Sequence, residues 1–285
     1  MMPLHRRAKP LLGTLVEIGF DIGGTSPAAH AAAFAASEVA FAAVARIHQR
    51  MSRHEASSEL SAINTAAPGH WVMLSLDTLA VLSFALQLSR ETGGVFDVFS
   101  SGGALDMPHL APWQSIELDK PGQRVRQHAL LDATRTVHTL HADLGGIAKG
   151  YAVDCAVAAL QAAGVAQGWV NAGGDVRVFG DWQLPLQVRS PADASHCITC
   201  TVLQNRAAAT SAHVLHTGSE PPGTHPPGAL YHGVSRERAA SGHSWTVTAP
   251  HCMAADALTK VVAATGDAQH PVLAAHAAQS WIFHA

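Results

Sequence analysis

The stretch Asp143-Leu144-Gly145-Gly146-Ile147-Ala148-Lys149-Gly150-Tyr151-Ala152 constrains this chain more than any other. Its paired glycines make a tight turn, and a helix is expected from near Ala148 up to Gly164, which reads as its C′ residue. Beyond it, Trp169-Val170 and Val176-Arg177-Val178 flank the turn Asn171-Ala172-Gly173-Gly174-Asp175 and read as a strand pair. Helix and strand patterns mix along the rest of the chain. Thr14 to Phe20 alternates with period two, as a strand does. Phe34, Phe41, Val44, Ile47 and Met51 fall near one face of a helix. Ser75 is placed to cap a helix from Leu76 to about Glu91, which Gly93 and Gly94 end. Short β-like runs follow at Leu184–Val188, Cys197–Leu203 and Ser244–Thr248, and a last helix opens near Cys252 and carries Asp256. Pro221 to Pro227 reads as a Pro/Gly loop. With no repeat, low-complexity block or clean linker, the chain reads as α+β: a single mixed domain over 1–285 with a core at about 11–265, or two closely packed subdomains.

Composition narrows the function classes. Only 14% of the 285 residues are charged and 48% are hydrophobic, which argues against a long disordered tail or a coiled coil. A chain of this length buries roughly 70–75% of its unfolded surface and needs no disulfide or metal to hold its core. Lys and Arg total 18 against 21 Asp and Glu, with no basic stripe. Nucleic acid is therefore not an expected partner, since its backbone is held by clustered cations. The N-terminus is polar and basic up to Pro10, and Glu17 breaks the apolar run Leu11–Phe20. That pattern reads as neither signal peptide nor lipoprotein anchor. Ser37, Glu38, Arg46 and Arg50 interrupt the Ala-rich stretch from Ala28 to Met51, so no membrane insertion is expected. The expected location is the cytoplasm.

Cys197-Ile-Thr-Cys200 has zinc-like spacing, with His196 and Cys252 the nearest further ligands; the competing reading is reduced thiols packed as small hydrophobes. The 19 histidines show no H-E-x-x-H spacing, and many lie between His213 and His243 among Pro, Gly and Ser, as solvated loop residues do.

Two segments carry chemistry. Gly145-Gly146 ahead of a helix lets the backbone approach a ligand and points N–H groups at it, which suits a phosphate; the plainer reading is a tight turn. It is neither G-x-G-x-x-G nor a Walker A sequence. In Ala255-Asp256-Ala257-Leu258-Thr259-Lys260, the helical repeat puts Asp256 on one face with Thr259 and Lys260. A carboxylate, a hydroxyl and nearby carbonyls are hard oxygen ligands that suit magnesium beside phosphates; the plainer reading is an Asp–Lys surface pair.

These segments and others resemble the ApbE family of FAD:protein FMN transferases. The matching pieces are Leu12-Gly13-Thr14, Ser52 to His54 with Ser57 to Asn64, Thr92-Gly93-Gly94-Val95-Phe96-Asp97, Asp143 to Asp154, Asn171 to Asp175, Ala209-Thr210-Ser211, and Thr246-Val247-Thr248 leading to Ala255–Thr259. The resemblance implies an enzyme that binds FAD with Mg2+, cuts its pyrophosphate, transfers FMN to a Thr or Ser side chain of an acceptor flavoprotein and releases AMP. It places Leu12, His54, Val95, Phe96, Asp97, Gly145, Lys149, Tyr151 and Val234 at FAD. The Ala148 carbonyl, Asp256 and Thr259 become the metal ligands, Asp256 also being catalytic, and His232 becomes the base for the acceptor hydroxyl. Asp97 either receives polar hydrogens of the flavin or adenine or caps a turn.

The chain departs from the family pattern in places. Leu12 replaces a Met, Val98-Phe99 a Pro-Thr, and Thr210-Ser211-Ala212 a Thr-Ser-Gly. His232-Gly233-Val234-Ser235-Arg236 keeps the His but lacks the Asp-Pro that follows it in the family, and Lys260 replaces a metal-binding Thr. The expectation for Lys260 is that its long stem turns outward and leaves the metal in place; the alternative is that its ammonium takes the metal's place and meets the pyrophosphate as a point charge. Hydrolysis of FAD to FMN and AMP, and non-catalytic FAD binding, are the alternatives. Neither the acceptor nor the oligomeric state is legible.

Overall fold

The computed structural model of the chain describes residues 4–101, 111–131, 137–138, 140–193, 195–212, 230–240 and 242–284. Most of the His-rich stretch after His213 and the Pro221–Pro227 segment lie outside them. The helices are α1 (Pro27–Met51), α2 (Glu59–Thr65), α3 (Leu76–Glu91), α4 (Ala148–Ala162), α5 (Cys252–Thr265) and α6 (Pro271–Ala275).

An antiparallel sheet of seven strands organises the described residues. Its spatial order is Leu4–Leu11, Thr14–Asp21, Gly168–Ala172, Asp175–Phe179, Ala207–Ala212, His243–Ala249 and Gln279–His284. Helix α4 packs against both α1 and α5, and α4 and α5 lie on the middle strands. The period-two alternation of Asp175–Phe179 explains how both sheet faces are used. Val176 and Val178 point to a satellite core with Leu186 and Leu203 of the hairpin Gln183–Arg189/Cys197–Gln204. Asp175 and Arg177, on the opposite face, reach Lys149 and Asp154 of α4.

Turn chemistry sets the strand pairing. Gly173 and Gly174 have φ of +62° and +103° and close the hairpin that pairs Ala172 with Asp175. The mirror-type two-residue turn they form matches the twist of the flanking strands. Asn171 Oδ1 accepts the Gly174 N–H at 3.0 Å. Ser75 caps α3 by accepting the Thr78 N–H at 3.4 Å, and Gly164 follows α4 at φ +85°, both as the sequence suggests.

Other expectations need correction. The polar N-terminus is a strand: Leu4–Leu11 pairs with Thr14–Asp21 along its whole length. Its inward basic residues cover α1, Lys9 bonding Glu38 at 2.8 Å and the Arg7 guanidinium lying 4.1 Å over the Phe34 ring. Phe34 is therefore outside the core, 51% exposed. By length and hydropathy α1 passes as a membrane-spanning candidate; here its apolar face packs on α4 while Glu38, Arg46 and Arg50 are paired with neighbouring elements. The zinc reading fails. Cys197 is exposed on a strand, Cys252 is buried in α5, and no group of three or more metal-type side chains is present among the described residues.

Candidate active site

The site is built where α4 crosses α5. Gly150 lets the helices approach: a Cβ there would meet the Cys252 carbonyl oxygen at 2.3 Å. Its N–H donates to Asp256 Oδ2 at 3.1 Å. One turn further along α4, Asp154 accepts the N–H groups of Cys252 and Met253, both at 2.9 Å, and so caps α5, whose own N-cap residue offers no side-chain bond. A carboxylate at a helix start answers both its free N–H groups and its dipole.

Four charges meet at this crossing. Lys149 bonds Asp175 and lies 3.8 Å from Asp256 Oδ2; Lys260 bonds Asp256 Oδ1 and reaches Thr259 Oγ1 at 3.1 Å. Asp175 and Asp256 are essentially fully buried. Burial opposes ionisation of Asp256, but Lys260 and Lys149 outweigh it and hold the carboxyl below its ordinary range. Asp175 moves the other way, because burial and the Asp256 charge exceed the pull of the lysines. Burial opposes the Lys149 charge, and the two carboxylates overcome it and raise its pKa.

This arrangement does not fit the expected magnesium. Asp256 Oδ1 and Thr259 Oγ1 both face the Lys260 ammonium, the Thr259 hydroxyl donates to the Asp256 carbonyl at 2.7 Å, and Asp256 Oδ2 is taken by Gly150. A divalent ion held by these oxygens would lie beside two ammonium groups, a repulsion of about 4 kcal/mol per unit-charge pair at ~4 Å near a protein surface. Lys260 thus turns inward, against expectation, and only 17% of its side chain is exposed.

Over the crossing opens a cleft of about 570 Å³. Leu12, His54, Val95, Phe96, Asp97, Gly145 and Lys149, which the resemblance assigns to FAD, line it together with Ala148, assigned to the metal, and Lys260. Leu12 stands in the turn between the first two strands at φ +55°, a conformation a non-glycine residue adopts only under constraint. Burial pushes the Asp97 carboxyl up to about 7, against the N–H groups of Phe99 and Trp113 that bond its two oxygens. The turn-capping alternative for Asp97 is what these bonds describe. The N–H groups at the α4 start are largely taken: Gly145 donates to Asp143, Ala148 to Leu144 and Gly150 to Asp256. Lysines therefore supply the positive wall that the sequence assigned to backbone N–H groups.

Three predicted residues stand elsewhere. Tyr151 turns away from the cleft and donates to Asp77 at 3.0 Å. Val234 is 45% exposed, next to Gly94 at the cleft margin. His232 lies in a loop that packs on the Gly94–Asp97 segment, Gly233 donating to the Val95 carbonyl at 2.9 Å. The His232 Nδ1 accepts from the N–H groups of Val234 and Ser235 at 3.2 and 3.1 Å. Those bonds assign the proton of the neutral ring to Nε2, which is then a donor. A general base offers a free lone pair, whereas in this arrangement the Nδ1 lone pair of His232 is engaged by those two N–H groups.

The model of the ApbE family matches residues 12–282. The chain belongs to the ApbE family. It is 26% identical over 145 residues to a Vibrio cholerae protein named FAD:protein FMN transferase, a match that takes in 47% of this chain and 43% of that protein. The chain thus spans less than half the length of this curated relative. Among solved structures, an ApbE protein of Thermotoga maritima aligns over 91% of this chain and 86% of its own, with 23% identity and a TM-score of 0.68. A mutant of the flavin transferase ApbE of Vibrio cholerae aligns over 98% and 93%, with 20% identity and a TM-score of 0.71. At these identities the structural likeness shows the fold.

Within this ApbE-family site, the sequence reading gave no role to Asp175, which it took as a turn residue and as part of a family-matching string. The available signal was its place straight after a two-glycine turn on a strand facing α4. Ser211 was also missed as a neighbour of the site: its hydroxyl meets Thr259 Oγ1 at 2.8 Å across the sheet–helix contact.

Proposed function

We propose that this ApbE-family protein transfers the FMN part of FAD to a Thr or Ser hydroxyl of an acceptor flavoprotein and releases AMP. The observation that carries the reading is the convergence of Lys149, Lys260 and the Gly145-Gly146 turn on one wall of the cleft. Ammonium groups at a glycine turn suit a diphosphate, and the cleft volume lies in the range of small-molecule sites. In the reaction the acceptor oxygen attacks the phosphorus nearer the flavin. The bond from that phosphorus to the bridging oxygen breaks, AMP leaves with the bonding pair, and the hydroxyl proton is released to water. Positioning and charge neutralisation dominate such a transfer. Lys149 and Lys260 are the groups placed to give the phosphate oxygens charge-assisted hydrogen bonds, while Asp175 and Asp256 hold the two ammonium ends in place. With Nδ1 engaged, the part left to His232 is donation from Nε2. Mg2+, which the resemblance implies, finds no free ligand set among the described residues, since Lys260 and Gly150 engage the oxygens of Asp256 and Lys260 that of Thr259. A cytoplasmic location belongs to the same proposal and is checked by fractionation.

Incubating the protein with FAD and a candidate acceptor tests the reading. A flavin-fluorescent acceptor band on a denaturing gel together with stoichiometric AMP supports it, and their joint absence counts against it. The engagement of His232 Nδ1 favours a second reading, a flavin-binding protein without transfer, which predicts FAD binding and no AMP. AMP and free FMN with no fluorescent band would instead mark a pyrophosphatase.

A further inference from the structure

We infer that the Lys260 ammonium stands in for a divalent cation, so that this protein binds the diphosphate of its flavin nucleotide without metal. The inference rests on the FAD reading above. It starts from Gly146. A Cβ there would lie 3.1 Å from Lys260 Cε and 3.5 Å from its Cγ, so the bare glycine backbone gives the lysine stem a path along the turn. The stem carries Nζ into the space between Asp256 and Thr259, two of the oxygen donors that the resemblance gives to magnesium. An ammonium has three N–H bonds. Two go to these oxygens, Lys260 also lines the cleft, and the third, on this inference, goes to a ligand there.

Magnesium competes poorly for the same place. It asks for near-octahedral oxygens at about 2.0–2.1 Å and gives up water reluctantly. Asp256 Oδ2 is already bonded to Gly150, with Lys149 Nζ 3.8 Å away. Binding the ion would separate a buried carboxylate from Lys260 and bring a double charge toward both lysines. With Lys260 in place, Asp175 and Asp256 are balanced by Lys149 and Lys260, and no buried charge waits for a metal. Lysine serves phosphate as a point charge, which makes the exchange of ion for ammonium chemically reasonable.

Calorimetric titration of FAD into the purified full chain, in EDTA and in excess magnesium, tests the inference. The expected result is one affinity under both conditions. In Lys260→Thr, binding in EDTA weakens by about tenfold or more, as loss of a charge-assisted bond requires, and magnesium restores it. Wild-type binding that tightens tenfold or more with magnesium overturns the inference and leaves the FAD reading intact; so does a Lys260→Thr variant that binds like wild type in EDTA. No FAD binding under either condition overturns both. If Lys260→Thr does not fold, the wild-type comparison decides alone.

Discussion

Gly150 and Asp256 touch across the α4–α5 crossing: the glycine N–H donates to Asp256 Oδ2 at 3.1 Å, and a Cβ on Gly150 would lie 2.8 Å from the Asp256 Cβ. The absence of a side chain at one residue thus sets the position of a buried carboxylate on another helix. Gly150→Ala would gain about 1 kcal/mol of helix propensity. It would also drive the new methyl into the Cys252 carbonyl and Asp256, and forced overpacking costs about 1–3 kcal/mol or more. The expected net effect is loss of stability with weaker FAD binding, read from urea midpoints and titration. A variant as stable as wild type would mean that the helices slide apart freely, and the account of the crossing would be wrong.

The Lys149–Asp175 pair gives a second test. Asp175 is 2% exposed and Lys149 about one-third exposed, so removing the cation strands a buried anion. Breaking buried pairs from one side costs about 3–5 kcal/mol. Because solvent reaches the lysine, Lys149→Met is expected at the lower end of that range. Adding Asp175→Asn should recover part of the loss, since the stranded charge goes with it. A fully additive pair, measured by denaturant unfolding, would show that the two groups do not depend on each other.

Much of this site was legible because its chemistry is local. The turn before Ala148, the helix stop at Gly164 and the hairpin at Gly173-Gly174 each need only neighbouring residues. The N-terminal strand escaped because His5, Arg7 and Lys9 point inward, where the apolar alternation of a strand is expected; their stems lie over α1 instead. The Leu12-Gly13 turn was the available signal, though a leucine at φ +55° is not a residue that turn rules select. The direction of Lys260 was out of reach for a different reason. Helical spacing pairs it with Asp256, but whether its stem runs outward or inward depends on the bare backbone of Gly146, 114 positions earlier in the chain. Tyr151 failed likewise: its partner Asp77 lies on α3, and no local pattern joins them.

Asp97 predicts a pH effect of definite sign. Burial raises its carboxyl from 3.8 to about 7, while Phe99, Trp113 and the Arg236 charge favour the anion and only partly offset it. Between those values the folded protein holds a proton that the unfolded chain has released. This group's contribution to stability therefore falls as pH rises through that window, by at most about 1.4 kcal/mol per unit, and is flat above it. Urea midpoints of wild type and Asp97→Asn, compared at about pH 5 and pH 7.5, isolate the effect from other titrating groups. Wild type should lose stability relative to the variant on going to the higher pH. A constant difference would show that Asp97 is ionised throughout.

His232 separates a structural from a chemical role. Its Nδ1 accepts the N–H groups of Val234 and Ser235 and so caps the turn beside the cleft. Asparagine places an acceptor oxygen in a similar position but has nothing at Nε2, so His232→Asn keeps the cap and removes the donor, whereas His232→Ala removes both. The expected outcome is that His232→Asn melts and binds FAD as wild type does, while FMN transfer falls by about 10²-fold or more, the scale at which a proton-transfer or oxyanion donor acts. His232→Ala should lose transfer and also some stability, because the exposed turn loses its side-chain cap. If His232→Asn transfers FMN at the wild-type rate, the ring is a turn cap alone, and stabilisation of the transferring phosphoryl group falls to Lys149 and Lys260.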